Sequence, residues 1–445
     1  MRLSGSAGTS GIWNFSIKNG AMKKTTDPLD VLIVGGGMIT NDLILPSVYH
    51  MQRTERVGQI SVCALNSPPL AALKNSLELQ SAFPGQTFDA HPPVNTPPDQ
   101  MFPHLFEERL AATRPRQMVI VAVPDPFHYD VVMAALRHDQ HVLCVKPLVL
   151  SYDQDLEIEK EALKRGLFVG IEYHKRMDHR SLMARRNYSL GHFGEFKIGE
   201  ARMIEPYYYR HSNFQNWFTC DKTDPFVYVG CHYVDLVYFI TGLKPVAVSV
   251  SGVKGLFPNG KEGYMWANGR VRFENGALLT VTDGLGYPDA AAGSNDQGLL
   301  LYCEGTDRSG MIQHNDQDRG VRHSYLEEIG CAGSRYNYVS PDFYRLVPWA
   351  GPGYKPVGYG YESVEAILET MIRIEKESSE RPAVEALARR QDLIREVDAA
   401  GLLATPANSF INELVVEAAR RSIVLDGVWV DIIYGNPPHV QLRTI

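Results

Sequence analysis

Residues 29–40 read "LDVLIVGGGMIT", and the fold follows from them. Apart from Asp30 near its start, Leu29 to Val34 is a run of branched apolar residues, the pattern of a strand buried on both sides. The run enters a glycine turn and then a helical periodicity, which is the context of a dinucleotide-binding fingerprint. Gly35 permits the tight turn. Gly37 lets the backbone approach a pyrophosphate, and Met38 and Ile39 open the helix whose N-terminus favours the negative charge. The third position of G-x-G-x-x-G holds Thr40, so a Cβ stands where helix meets strand.

Outward from this turn the pattern repeats. "QISVCAL" (59–65), "QMVIVAV" (117–123), "HVLCV" (141–145) and "LFVGI" (167–171) read as further buried strands, separated by helical stretches near 38–50, 69–80, 99–113, 126–138 and 151–165. That alternation predicts a doubly wound parallel sheet covered on both faces. Ligands bind such sheets at the carboxyl ends of the strands. The second strand ends at Asn66, an amide that can hydrogen-bond a ribose hydroxyl and does not repel a 2′-phosphate. No Arg follows it at once, so the reading leans to NAD and leaves NADP open. The third strand ends in "VPDPFHYD" (123–130), placing Val123, Pro124 and His128 at the cofactor edge. The fourth ends in "CVKPLVLS" (144–151), placing Lys146 there.

After about residue 175 the character changes. "GEFKIGEARMI" (194–204), "VAVSVSGVKG" (246–255), "MWANGRVRFENGALLTVTDGLGY" (265–287) and "GLLLYCEG" (298–305) are longer strands with partial alternation, and "ENG" (274–276) reads as a hairpin turn. A large, mostly antiparallel open sheet is expected, with one face buried and the other free for a subunit partner or substrate. Residues 361–422 are helical again. The organisation expected is a loose extension over 1–28, with Trp13 and Phe15 as an alternative docking arm, a Rossmann domain over 29–174, and an α+β domain over 175–445 whose last helices pack back.

Composition narrows the function classes. A chain of 445 residues exceeds one ordinary core. A net charge of −7, without a basic block, argues against nucleic acid. No apolar run approaches a membrane span, and the first twenty residues lack the apolar core of a signal peptide. The six cysteines (Cys63, Cys144, Cys220, Cys231, Cys303, Cys331) form no C-x-x-C pair, so no metal site is indicated and a cytoplasmic, reducing setting is the simpler reading.

"FVYVGCHYVD" (226–235) sets one histidine, His232, in an apolar run. Alone it reads as a core imidazole or as a proton carrier. Together, "GGGMIT", "VKP" and "VGCHYVD" resemble the glucose–fructose oxidoreductase/inositol dehydrogenase (Gfo/Idh/MocA) family, over roughly residues 29–430. The resemblance implies a two-domain NAD(P)-dependent oxidoreductase acting on sugars, polyols or their derivatives. It places His232 beside the reacting hydroxyl, with Lys146 holding the same oxygen. Three departures stand out: Thr40 for the third glycine, Val145 for the Glu of E-K-P, and Tyr228 for the Asp four residues ahead of the His. A phenol can position a substrate but carries no charge near neutral pH.

The expected site therefore comprises Lys146, His232 and Tyr228, with Tyr173 and Arg176 from "EYHKRMD" (172–178) and Trp217 from the aromatic loop "EPYYYRHSNFQNWF" (205–218) as substrate contacts. Asp235 either orients the imidazole or braces the fold. The expected activity is oxidation of a ring hydroxyl of a sugar, glycoside or polyol by a homo-oligomeric enzyme. A lyase that recycles its cofactor and a non-catalytic sensor are the alternatives.

Overall fold

The computed structural model describes residues 27–291, 295–306, 308–315 and 343–444. The N-terminal extension through residue 26, with Trp13 and Phe15, and also Cys331, lie outside them.

The first sheet has strands β1 (Leu29–Val34), β2 (Val57–Cys63), β3 (Asp89–His91), β4 (Met118–Val121), β5 (His141–Val145) and β6 (Val169–Glu172), in the order β3-β2-β1-β4-β5-β6. All pairings are parallel. This is the doubly wound Rossmann order, whose switch point lies between β1 and β4. β3, with three residues, is too short to show in the apolar pattern.

The glycine turn is built as its sequence requires. Gly35 has φ +118°, and a Cβ there would lie 2.1 Å from the Ala122 carbonyl oxygen. Its N–H donates to the Cys63 carbonyl at 2.8 Å. Thr40 is buried, and its hydroxyl donates to the Gly35 carbonyl at 2.6 Å. A side chain thus closes the turn where the fingerprint has a glycine. The expected single helix is split: a π-helical turn, Thr40–Ile44, precedes an α-helix, Leu45–Arg53. Pro46 supplies the reason, because it has no N–H to return to the carbonyl four residues back.

The second sheet has β7 (Glu195–Pro206), β8 (Pro245–Leu256), β9 (Glu262–Phe273), β10 (Leu278–Tyr287), β11 (Asp296–Gly305) and β12 (Arg308–Asn315). A small hairpin follows, β13 (Arg345–Pro348) with β14 (Tyr354–Val357). Two late strands, β15 (Val430–Ile433) and β16 (His439–Leu442), then extend the second sheet beyond β8. Its order is β12-β11-β7-β10-β9-β8-β15-β16, and only β7 with β10 is parallel. β15 and β16 were not legible in the sequence, since four residues each carry too little alternation. The expected turn at 274–276 closes β9 onto β10, with Gly276 at φ +87°.

Three late helices follow: Tyr359–Ser378 and Ala383–Ala400 pack back on the first sheet, and Pro406–Val424 packs on both sheets. Val364, Ile367, Leu368 and Met371 share one core with Val31, Ile33 and Phe168. In the last helix, Leu414, Val415 and Ala418 join the core of the second sheet, while Val416 joins the opposite face of the first. That helix starts cleanly, with Pro406 in its first turn and a reciprocal Thr405/Asn408 capping box. Each fully buried Val, Leu or Ile contributes roughly 1.5–3 kcal/mol, so this helix is a structural joint between the two halves.

Candidate active site

The strand ends of the first sheet and the start of the helix Cys231–Thr241 meet at Lys146. The ammonium of Lys146 donates to the Tyr228 carbonyl and lies 4.3 Å from the centre of the Tyr228 ring. Tyr228 reaches it on a π-helical turn, Phe226–Gly230, that leads into the helix carrying His232. The ring of Tyr228 is backed by Phe214 at 5.3 Å, Phe218 at 5.6 Å and Trp217 at 5.8 Å. Burial raises its phenol well above the ordinary range, and the charges of Glu205 and Asp125 add to the rise.

His232 is buried. Its ring packs 4.7 Å from that of His174 and edge-on to Tyr173 at 6.1 Å. Its Nδ1 has no hydrogen-bond partner among the described residues. Burial first, then Lys146, His174 and Lys175, push its pKa well below the ordinary value, so it is neutral. His174 is held by Glu172, Nδ1 to Oε2 at 3.0 Å. Lys175 is buried, donates to Gln297 Oε1 at 2.8 Å and lies over the Tyr233 ring.

Not every expected contact is brought here. Arg176 is buried in a bidentate pair with Asp235, with Nε 2.9 Å from Oδ2. Asn412 donates to the same carboxylate at 2.8 Å. Arg176 lines a separate cavity with Arg185, Tyr238 and Asp398. The pair is a brace: a buried guanidinium needs its carboxylate, and neither group is free for a substrate. Asp235 is thereby committed away from His232. Trp217 is enclosed by Tyr209, Phe214, Phe218, Phe257 and Met265, so it supports Tyr228 from behind and offers no open stacking face. Tyr173 is likewise buried, edge-on to His232.

The dinucleotide edge shows the same division. A Cβ on Gly37 would meet nothing within 4 Å, so open space lies where a pyrophosphate would approach the turn. Gly37 and Met38 are exposed, and Ile39, Val123 and Pro124 are half-buried along the same edge. Asn66 ends the β2 loop in an extended conformation with no side-chain capping bond. These residues fit a dinucleotide. His128 does not face it: both ring nitrogens sit on carbonyls, Nδ1 on Pro147 at 2.7 Å and Nε2 on Val123 at 2.8 Å. It clamps the loop after β4 to the Lys146–Pro147 loop.

Three residues at the site went unread in the sequence. Asp125 and Glu205 are both buried with raised pKa, chiefly from burial, and both feel the Lys146 charge. Gln297 partners Lys175. For Glu205 a signal existed: Ala201, Met203 and Glu205 share the inward phase of β7, and an acid in that phase breaks an apolar series. Among the described residues no group of three His, Cys, Asp or Glu could hold a metal, and no helix is long and apolar enough to cross a membrane.

Two family models match the chain. One, described as an oxidoreductase family with an NAD-binding Rossmann fold, covers residues 29–173; the other, the GFO/IDH/MocA C-terminal domain, covers 185–304. The D-glucoside 3-dehydrogenase of Escherichia coli is 26% identical over 227 residues, which are 50% of this chain and 56% of that protein. The 1,5-anhydro-D-fructose reductase of Ensifer adhaerens is 26% identical over 175 residues, 37% of this chain and 49% of that protein. The chain spans about half the length of the curated relatives it matches. Among solved structures, myo-inositol 2-dehydrogenase from Lactobacillus plantarum superposes with a TM-score of 0.58 at 17% identity, covering 91% of this chain and 100% of that one. An inositol dehydrogenase homolog from Azotobacter vinelandii, complexed with NADH and myo-inositol, gives 0.56 at 18% identity, covering 92% and 99%. At these identities the likeness is one of fold.

Proposed function

Because the chain belongs to the Gfo/Idh/MocA oxidoreductase family, with an NAD-binding Rossmann fold, we propose that it oxidises a ring hydroxyl of a sugar, glycoside or polyol. The observation that carries this reading is the meeting of Lys146, Tyr228 and a neutral His232 at the cofactor edge of the first sheet. Residues 29–174 bind the dinucleotide, and 175–445 supply the substrate face. NAD, when bound, supplies the hydride acceptor. Gly35, Gly37, Met38, Ile39, Val123, Pro124 and Asn66 hold it.

This chain's own residues do the rest. The ammonium of Lys146 holds the substrate oxygen and stabilises the negative charge that develops there. His232, kept neutral by burial and by the neighbouring cations, accepts the hydroxyl proton. Tyr228 sets one wall of the site and is held rigid by the aromatic rings behind it. The buried pair Arg176–Asp235 fixes the helix that carries His232.

The test is a panel of sugars, glycosides and polyols with NAD. The dehydrogenase accumulates NADH absorbance. A cofactor-recycling lyase releases aglycone without net NADH, and a sensor is stabilised by ligand without turnover. Either of those outcomes replaces the reading.

We also infer a homo-oligomer formed through the outer face of the second sheet. Ile198, Tyr302 and Met311 lie side by side in register across β7, β11 and β12 and are at least half exposed, an apolar row on the outer face. Analytical ultracentrifugation checks it, and a monomer at micromolar concentration removes it.

A further inference from the structure

A second cavity lies apart from the cofactor edge. It has a volume of about 370 Å³ and lies between the helix His179–Ser189, the C-terminal end of the helix Cys231–Thr241 and the last turn of Ala383–Ala400. That size is within the range of roughly 300–1,000 Å³ typical of small-molecule sites. His232, Asp235 and Phe239 fall on one face of the Cys231–Thr241 helix, since side chains three and four positions apart are neighbours there. At about 1.5 Å per residue, Phe239 stands roughly 10 Å along the axis from His232, so the cavity is not the substrate cleft.

Arg185 is the cation in its wall without an acid of its own. Nη1 donates to the Gly401 carbonyl at 2.7 Å, and the guanidinium stacks on Phe239, 4.4 Å from the ring centre. Among the described residues no carboxylate forms an ion pair with it, and its Nε/Nη2 edge has no acceptor. Burial and the charge of Arg176 both work against the cation. Arg176 shares the wall, but its own charge is matched by Asp235. Asp398 contributes the complementary group. Its Oδ1 accepts from Thr405 Oγ1 at 2.6 Å, and Oδ2 has no protein donor among the described residues. Ile240 and Thr241 add the last carbonyls of their helix, which lack intrahelical partners and favour donors. The wall thus offers a planar pair of N–H donors and, separately, a set of acceptors.

We propose that this cavity is a binding site for a small carboxylate that carries hydroxyl or amino donors, the chemistry shared by sugar acids and α-amino acids. The carboxylate takes the Nε/Nη2 edge of Arg185 in a bidentate pair, the geometry that a guanidinium fork matches. The hydroxyl or ammonium group of the ligand meets Asp398 Oδ2 and the helix-end carbonyls. A simple anion satisfies only the first half of the wall and meets Asp398 as a like charge. A neutral polyol satisfies only the second half and leaves Arg185 without a counter-charge. Binding here needs neither NAD nor turnover, so it stands apart from the dehydrogenase reading.

The experiment is isothermal titration calorimetry of the full chain, without dinucleotide, against D-gluconate, L-alanine, acetate and D-glucitol. Gluconate or alanine is expected to bind at one site, and whichever binds identifies the source of the ligand. Arg185→Gln is expected to weaken that binding roughly tenfold or more, with NADH affinity unchanged, since hydrogen bonds to a charged group are lost. Ala399→Trp sets a ring over the cavity from an exposed position and should do the same. If Arg185→Gln does not fold, Ala399→Trp decides alone. Binding of gluconate or alanine that survives both substitutions belongs to another site and overturns the assignment. No binding of either at millimolar concentration overturns it too, as does acetate or glucitol bound as tightly and lost in the same variants. None of these results bears on NAD-dependent turnover of the sugar panel, which succeeds or fails by itself.

Discussion

The Lys146 ammonium is held by Tyr228 twice, through the face of its ring and through its own backbone carbonyl. The cation is therefore positioned by the second half of the chain before any substrate arrives. The phenol oxygen takes no part in either contact. Tyr228→Phe should keep Lys146 in place and cost about 0.5–1.5 kcal/mol of substrate binding, read as a modest rise in KM. Tyr228→Ala removes the ring and should lower kcat as well.

Lys146→Ala and His232→Ala should each fold, bind NADH nearly as wild type and lose roughly two to four decades of turnover. The checks are steady-state kinetics with circular dichroism and NADH fluorescence titration. If His232→Ala loses only Tm, its role is packing.

The two glycines of the turn should separate cleanly. Gly37→Val has room in the fold but occupies the approach to the turn, so Tm should hold while NADH binding is lost. Gly35→Ala collides with the Ala122 carbonyl and needs φ +118°, so it should lower Tm outright.

Arg176→Met should destabilise by roughly 3–5 kcal/mol, because it leaves the Asp235 carboxylate buried without its cation. Chemical denaturation measures this. A substrate-contact role would instead raise KM at unchanged stability.

Burial of Glu413 pushes its carboxyl up to about 8, and it shares its site with Asp155, which burial and Glu413 also raise. Its Oε1 accepts from Leu148 N at 3.3 Å, next to the Lys146–Pro147 loop. The folded state holds this proton more tightly than the unfolded chain. Stability should therefore be full below about pH 4.5 for this group and fall as pH rises to about 8. Glu413→Gln should flatten that slope in Tm measured against pH.

The parallel sheet was legible because buried Val and Ile runs alternate with helical periodicity, and the glycine turn marked its first crossover. The proposed roles of Lys146 and His232 come from local motifs. Arg176, Trp217 and His128 were placed in the right region, but their direction was not readable: whether a side chain faces cleft or core depends on partners such as Asp235, Phe214 and Pro147, all distant in sequence or folded over by a turn. Glu205 was missed for the same reason, since its neighbours Lys146, Asn295 and Tyr228 come from other elements.

The sharing of cores between early and late residues also bears on how the chain is made. Val364, Ile367 and Val416 complete the two faces of a sheet whose last strand ends at Glu172. At ~5–20 residues per second, ribosomal synthesis leaves those faces uncovered for on the order of ten seconds or more. The nascent dinucleotide half is therefore a natural client for chaperones, and it gains its final packing only when the helices translated last arrive.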